Sequence, residues 1–73
     1  MAHNWVKYES SEGVYELFNM DRATHFRHIG AGEESQIEID IDGNMFAIMY
    51  SIDPAAYRTV LNYIKETTGY SLD

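Results

Sequence analysis

The stretch Gln36-Ile37-Glu38-Ile39-Asp40-Ile41-Asp42-Gly43-Asn44-Met45-Phe46-Ala47-Ile48-Met49-Tyr50 decides the fold. Ile37, Ile39 and Ile41 alternate with Glu38, Asp40 and Asp42, and a period of two marks a strand buried on one side only. Gly43-Asn44 supplies two residues tolerant of positive φ, as a two-residue hairpin loop requires. With that loop, Ile41, Ile39 and Ile37 stand opposite Phe46, Ile48 and Tyr50 on one face. Asp42, Asp40 and Glu38 then meet Met45, Ala47 and Met49 on the other. A loop of Asp42-Gly43 shifts the pairing but keeps every side chain on the same face.

The segment that follows predicts a helix over 54–67. Asp53 is a good N-cap acceptor, and Pro54 sits where its fixed φ and missing N–H do no harm. Tyr57, Val60, Leu61 and Ile64 form one apolar stripe, and Gly69 stands where a C-cap glycine belongs. Toward the N-terminus, further strands are expected at 5–8, 14–19 and 24–29, beside 36–42 and 45–50. The turns between them fall at Ser10–Gly13 and Asn19–Arg22, and Gly30–Glu34 reads as a mobile loop. Residues 1–4 and 70–73 read as loose ends. The expected fold is a single α+β domain over residues 1–73. It has a small antiparallel sheet of three or four strands, followed by one C-terminal helix packed on one face. The core expected from the two periods is Ile37, Ile39, Ile41, Phe46, Ile48, Val60, Leu61 and Ile64. Whether the N-terminal segment covers the second sheet face is left open by the pattern.

Composition narrows the function. The chain has 73 residues, with 12 Asp and Glu against 5 Lys and Arg, and no Cys. A chain of this length is marginally stable unless it packs well or finds a partner, and disulfide staples are excluded. The longest apolar run, Met45 to Met49, is far below the ~20 residues of a membrane span. The first residues show neither a basic n-region nor an apolar h-region, so a cytosolic protein is expected. The negative charge is concentrated: residues 31–53 carry six carboxylates and neither Lys nor Arg. Such a field disfavours nucleic acid and anionic membranes and favours a basic partner.

Chemistry-bearing patterns are sparse. His25 and His28, three apart in a strand, point to opposite faces and cannot chelate one metal together. His3 falls second in the chain once Met1 is removed, which spoils an N-terminal copper or nickel chelate. Asp40-Ile41-Asp42-Gly43-Asn44 echoes part of a calcium loop, but the helix-loop-helix context and the acidic twelfth position are missing. Glu38, Asp40 and Asp42 lie about 6.6–6.8 Å apart along a strand, without the burial that splits the pKa values of a catalytic acid pair. No nucleophile arrangement or phosphate-binding loop occurs. The expectation is a non-enzyme with no cofactor and no metal.

Met45 and Met49 beside Glu38, Asp40 and Asp42 form an adaptable apolar surface flanked by carboxylates, suited to a partner both apolar and basic. Six Tyr and one Trp exceed what one helix-on-sheet seam hides, so some rings, Trp5 among them, are expected to be exposed anchors. The candidate protein-binding residues are therefore Glu38, Asp40, Asp42, Met45, Met49 and Trp5. In size, acidity, lack of Cys and sheet-plus-helix order, the whole chain resembles the small phage-encoded regulators that bind host RNA polymerase. That resemblance implies transcription regulation, with a polymerase subunit or sigma factor as partner in a bacterial cytoplasm. The alternatives are a module whose uncovered face is closed by self-association, making a homo-oligomer, and an acidic nucleic-acid mimic that fills a basic protein groove.

Overall fold

The computed structural model describes residues 4–72, so the His3 site and Asp73 lie outside the described residues. Five strands precede one helix: β1 Trp5–Ser11, β2 Val14–Asn19, β3 Ala23–Ile29, β4 Gln36–Ile41, β5 Asn44–Met49 and α1 Pro54–Thr68. All pairings are antiparallel. The strands form two sheets, one of three in the order β3-β4-β5 and one of two, β1-β2. The fold is α+β, as expected, with the N-terminal hairpin standing as a sheet of its own.

The β4–β5 loop is Asp42-Gly43, with Ile41 opposite Asn44, Ile39 opposite Phe46 and Ile37 opposite Ile48. Asp42 has φ +54° and Gly43 φ +85°, the left-handed pair of a type I′ turn. Asp-Gly satisfies it because Asp enters this region more readily than most side chains and Gly enters it freely. The Gly43 N–H also donates to Asp40 Oδ1 at 3.1 Å. Both possible loops direct the isoleucines inward, so the core survives the change of register. On the other side of β4, an extra residue at Thr24 shifts the β3 pairing between Ala23 and His25. This bulge leaves His25 opposite Asp40, Arg27 opposite Glu38 and His28 opposite Ile37.

Why the first hairpin leaves the larger sheet is visible at its end. Asn19 Oδ1 accepts from the Asp21 N–H and caps a single 3₁₀ turn, Met20–Arg22. Met20 is buried there, its N–H donates to the Asn4 carbonyl, and the Tyr63 hydroxyl of the helix donates to the Met20 carbonyl. This anchored turn separates β2 from β3. The hairpin instead lays Val6, Tyr8 and Phe18 onto the isoleucine side of the larger sheet, where Phe18 meets Phe46 edge-on at 4.9 Å. Asn4 is thus hydrogen-bonded rather than loose. Leu72 packs partly against the core, while Tyr70 stays exposed.

The helix covers the rest of that side. Asp53 Oδ1 accepts from the Ala56 N–H, and Asp53 Oδ2 accepts from the Glu9 N–H of β1. Gly69, at φ +83°, closes the other end by donating to the Lys65 carbonyl. Ala56, Tyr57, Val60 and Ile64 face inward. Of the eight expected core residues, six are buried, and Phe46 and Leu61 are partly buried against them. The core also takes in Val6, Tyr8, Phe18 and Met20, which the hairpin supplies. The Gly30–Glu34 segment contains a 3₁₀ turn at Gly32–Glu34, closed by backbone hydrogen bonds to Ala31 and Gly32 carbonyls. No described helix is long and apolar enough to cross a membrane.

Ile39 is fully buried at the centre of the middle strand. Ile39→Ala is expected to cost about 2–5 kcal/mol in denaturant unfolding, a large share of a small domain's stability.

Candidate functional site

Hairpin and helix both cover the isoleucine side of the three-stranded sheet, so among the described residues no element covers its opposite face. Pairing arranges that face in three rows: His25-Asp40-Met45, Arg27-Glu38-Ala47 and Ile29-Gln36-Met49. Four expected site residues, Glu38, Asp40, Met45 and Met49, therefore share one surface. Their carboxylates are not a bare row, however. Arg27 reaches across from β3 and forms a salt bridge with Glu38, and Asp40 is held by the Gly43 N–H. Antiparallel pairing brings cations from residues 22–27 alongside the acidic stretch, which sequence distance concealed.

Asp42 stands at the turn, away from those rows. Arg22 grips it with two hydrogen bonds of 2.8 and 2.9 Å. That hydrogen-bonded guanidinium holds the Asp42 carboxyl below its ordinary pKa, and the carboxylate in turn raises that of Arg22. Trp5 lies on the two-stranded sheet. It nevertheless meets Asp42 along a cleft of about 290 Å³ that also includes Leu17, Arg22, Ile41 and Phe46. The six expected residues thus divide into a sheet face of four and a cleft of two.

The hairpin carries a second surface that the sequence reading only partly anticipated. Its outward positions are Trp5, Lys7 and Glu9 on β1, with Tyr15, Leu17 and Asn19 on β2. Leu17 is 65% exposed, Tyr15 56% and Trp5 48%. Lys7 lies over the Tyr15 ring, its Nζ 4.4 Å from the centroid. The available signal was the pair Leu17-Phe18: neighbours on a strand point to opposite faces, so one of two adjacent apolar residues must face out. Trp5 is exposed as expected, and so is Tyr15, while Tyr8 is core.

His28 turns to the inner side, where its Nε2 is 2.8 Å from the Tyr57 hydroxyl, and His25 is exposed on the outer face. Among the described residues, no three His, Cys, Asp or Glu side chains come together to hold a metal ion. Partial burial raises the pKa of Tyr63, a hydrogen bond with Thr67 works against it and Asp21 adds a smaller raising contribution, while the hydroxyl lies 3.1 Å from the Met20 carbonyl and 3.2 Å from Asp21 Oδ1. Compared with known proteins, the chain matches no family model, no curated protein and no solved structure.

The Arg22–Asp42 pair has a pH signature. The folded-state pKa of Asp42 lies below its unfolded value, so its contribution is present at neutral pH and disappears as pH falls through that folded value. Solvent screens the pair, which keeps the effect small. Asp42→Asn preserves a residue that accepts positive φ but loses the charge. Its melting temperature should fall below the parent's at neutral pH, and the gap should close in acid.

Proposed function

We propose that this chain is a non-enzymatic regulator that works by binding another protein, through the outward face of its N-terminal hairpin. The observation that carries the reading is Leu17, more than half exposed in the middle of a strand with Trp5 and Tyr15 on the same face. Single apolar residues on a surface need no explanation, but three together on one small sheet mark an interaction site. Trp and Tyr are the side chains that most often anchor interfaces, because they bury a large area and still offer a polar atom.

The charge around the patch defines the partner. Glu9, Glu12 and Glu16 belong to the same hairpin, and the chain carries a formal charge of −7. The complementary surface is an apolar depression rimmed by Lys and Arg. Its charges speed encounter, and apolar burial slows release. The sheet face with Met45, Met49, Glu38 and Asp40 offers a second, more polar contact for a partner large enough to wrap around the domain. Size and acidity shared with small phage-encoded regulators make a bacterial RNA polymerase subunit or sigma factor the first partner to test, and the cytoplasm the compartment we assign.

Binding to purified bacterial RNA polymerase, measured by interferometry at low and high salt, tests the proposal. Leu17→Asp should weaken binding at least about tenfold, as loss of a central anchor does, while the melting temperature stays close to the parent's. Glu38→Lys with Asp40→Lys should have the smaller effect, and mainly on the association rate. Unchanged affinity in Leu17→Asp would remove the hairpin face from the interface. A parent chain that sediments as a dimer, with Leu17→Asp a monomer, would reassign that face to self-association.

A further inference from the structure

We propose that the N-terminal hairpin engages its partner by strand addition: an extended segment of the partner, apolar on one side and basic on the other, pairs with the free edge of β2. This rests on the reading that the hairpin binds a protein, and it specifies what part of the partner docks there.

Two hydrogen bonds fix which way the hairpin backbone points. The Met20 N–H donates to the Asn4 carbonyl at 2.8 Å, which continues the ladder one pair beyond Trp5 and Asn19. The Glu9 N–H turns away from β2 and donates to Asp53 Oδ2 at 3.1 Å. Bonded and open pairs alternate along an antiparallel ladder, and the irregularity in β1 begins only after Glu9. Val6–Phe18 and Tyr8–Glu16 are therefore bonded pairs, while Lys7–Leu17 and Glu9–Tyr15 are open ones. The backbone N–H and C=O groups of Tyr15 and Leu17 thus point out from the far edge of β2. Among the described residues, β1 and β2 pair only with each other, and it is the edge of β1 that meets the helix cap. The edge of β2 is open.

That edge selects its occupant. Sheet edges are commonly guarded by Lys, Pro or a bulge, but β2 contains neither Lys nor Pro, and the irregularity lies on β1. Its one charge is Glu16, half-buried and on the inner face opposite Tyr8. Glu16, Leu17, Phe18 and Asn19, four consecutive residues of β2, line the cleft of about 290 Å³ whose other side includes Ile41 and Phe46. Arg22 in this cleft is already bound to Asp42, whereas Glu16 has no salt bridge among the described residues. An incoming residue bonded to Leu17 places its side chain on the outer face, beside Leu17 and Tyr15, where an apolar group fits. Its neighbours along the strand point inward to Glu16, where a cation fits. A second copy of this chain would bring another formal charge of −7, and repulsion disfavours it. In strand addition the main chain supplies affinity and the alternate side chains supply specificity.

The probe is a short peptide of alternating Lys and Val, blocked at both ends and titrated into the full chain under amide NMR. Binding should be saturable and should slow solvent exchange of the Tyr15 and Leu17 amide hydrogens at least about tenfold. The Val N–H groups face β2 in this geometry and the Lys N–H groups face away. N-methylation of the Val residues should therefore abolish binding, and N-methylation of the Lys residues should change it less than about twofold. A peptide of alternating Glu and Val should bind at least about tenfold more weakly, and Glu16→Gln should narrow that preference. No saturable binding, equal losses from the two methylations, or unchanged exchange at Leu17 would each overturn the proposal. So would a free chain that is dimeric with those amides already protected. The peptide experiment does not involve polymerase, so its failure is separate from unchanged polymerase affinity in Leu17→Asp, which removes the functional reading itself.

Discussion

Everything in this structure leans on one side of strand β4. Ile37, Ile39 and Ile41 form a ridge that must be kept from water. In a chain of this size no single element is large enough to cover it. The helix takes one part of the ridge and the N-terminal hairpin takes the rest. The Asp42-Gly43 turn closes the apolar floor, its two positive φ angles laying β5 beside β4 so that Phe46 and Ile48 stand alongside the isoleucines. A slip by one residue would turn the ridge outward and leave both covering elements with nothing to bury.

Tyrosine hydroxyls hold the layers in place once the rings are buried. Tyr8 of the hairpin accepts from the Met49 N–H of β5, Tyr63 of the helix donates to the Met20 carbonyl, and Tyr57 meets His28 of β3. Each ring supplies apolar area to the core, and each hydroxyl reaches a polar group on a different element. A Phe core of the same volume would leave the Met20 carbonyl and the Met49 N–H without these partners. This use of Tyr explains how a cysteine-free chain joins two sheets and a helix around one small core.

The sequence made the β4–β5 hairpin and the helix legible because each advertises its own period and its own punctuation. The register was not legible: Gly43-Asn44 and Asp42-Gly43 both fit a two-residue loop, and the choice is supported by Arg22, twenty positions away. Nor could local patterns show that β1 and β2 pair only with each other, since that depends on the buried Met20 and on Asn4 meeting its N–H. The candidate site suffered the same limitation. Glu38 and Asp42 looked unaccompanied along the chain, and their arginines arrive only through strand pairing and the turn. Leu17, by contrast, could have been singled out from its neighbour Phe18 alone.

Asp53 shows how narrowly a residue can be specified by two demands at once. As a helix cap, its position would accept Ser, Thr or Asn nearly as well. But one oxygen caps the helix and the other receives the Glu9 N–H, forty-four residues earlier in the chain. A hydroxyl offers a single oxygen, and an amide replaces the second acceptor with a donor that would confront the Glu9 N–H. Only a carboxylate serves both elements from this distance. One side chain therefore ties the first turn of the helix to the first strand, joining segments that lie far apart in the chain.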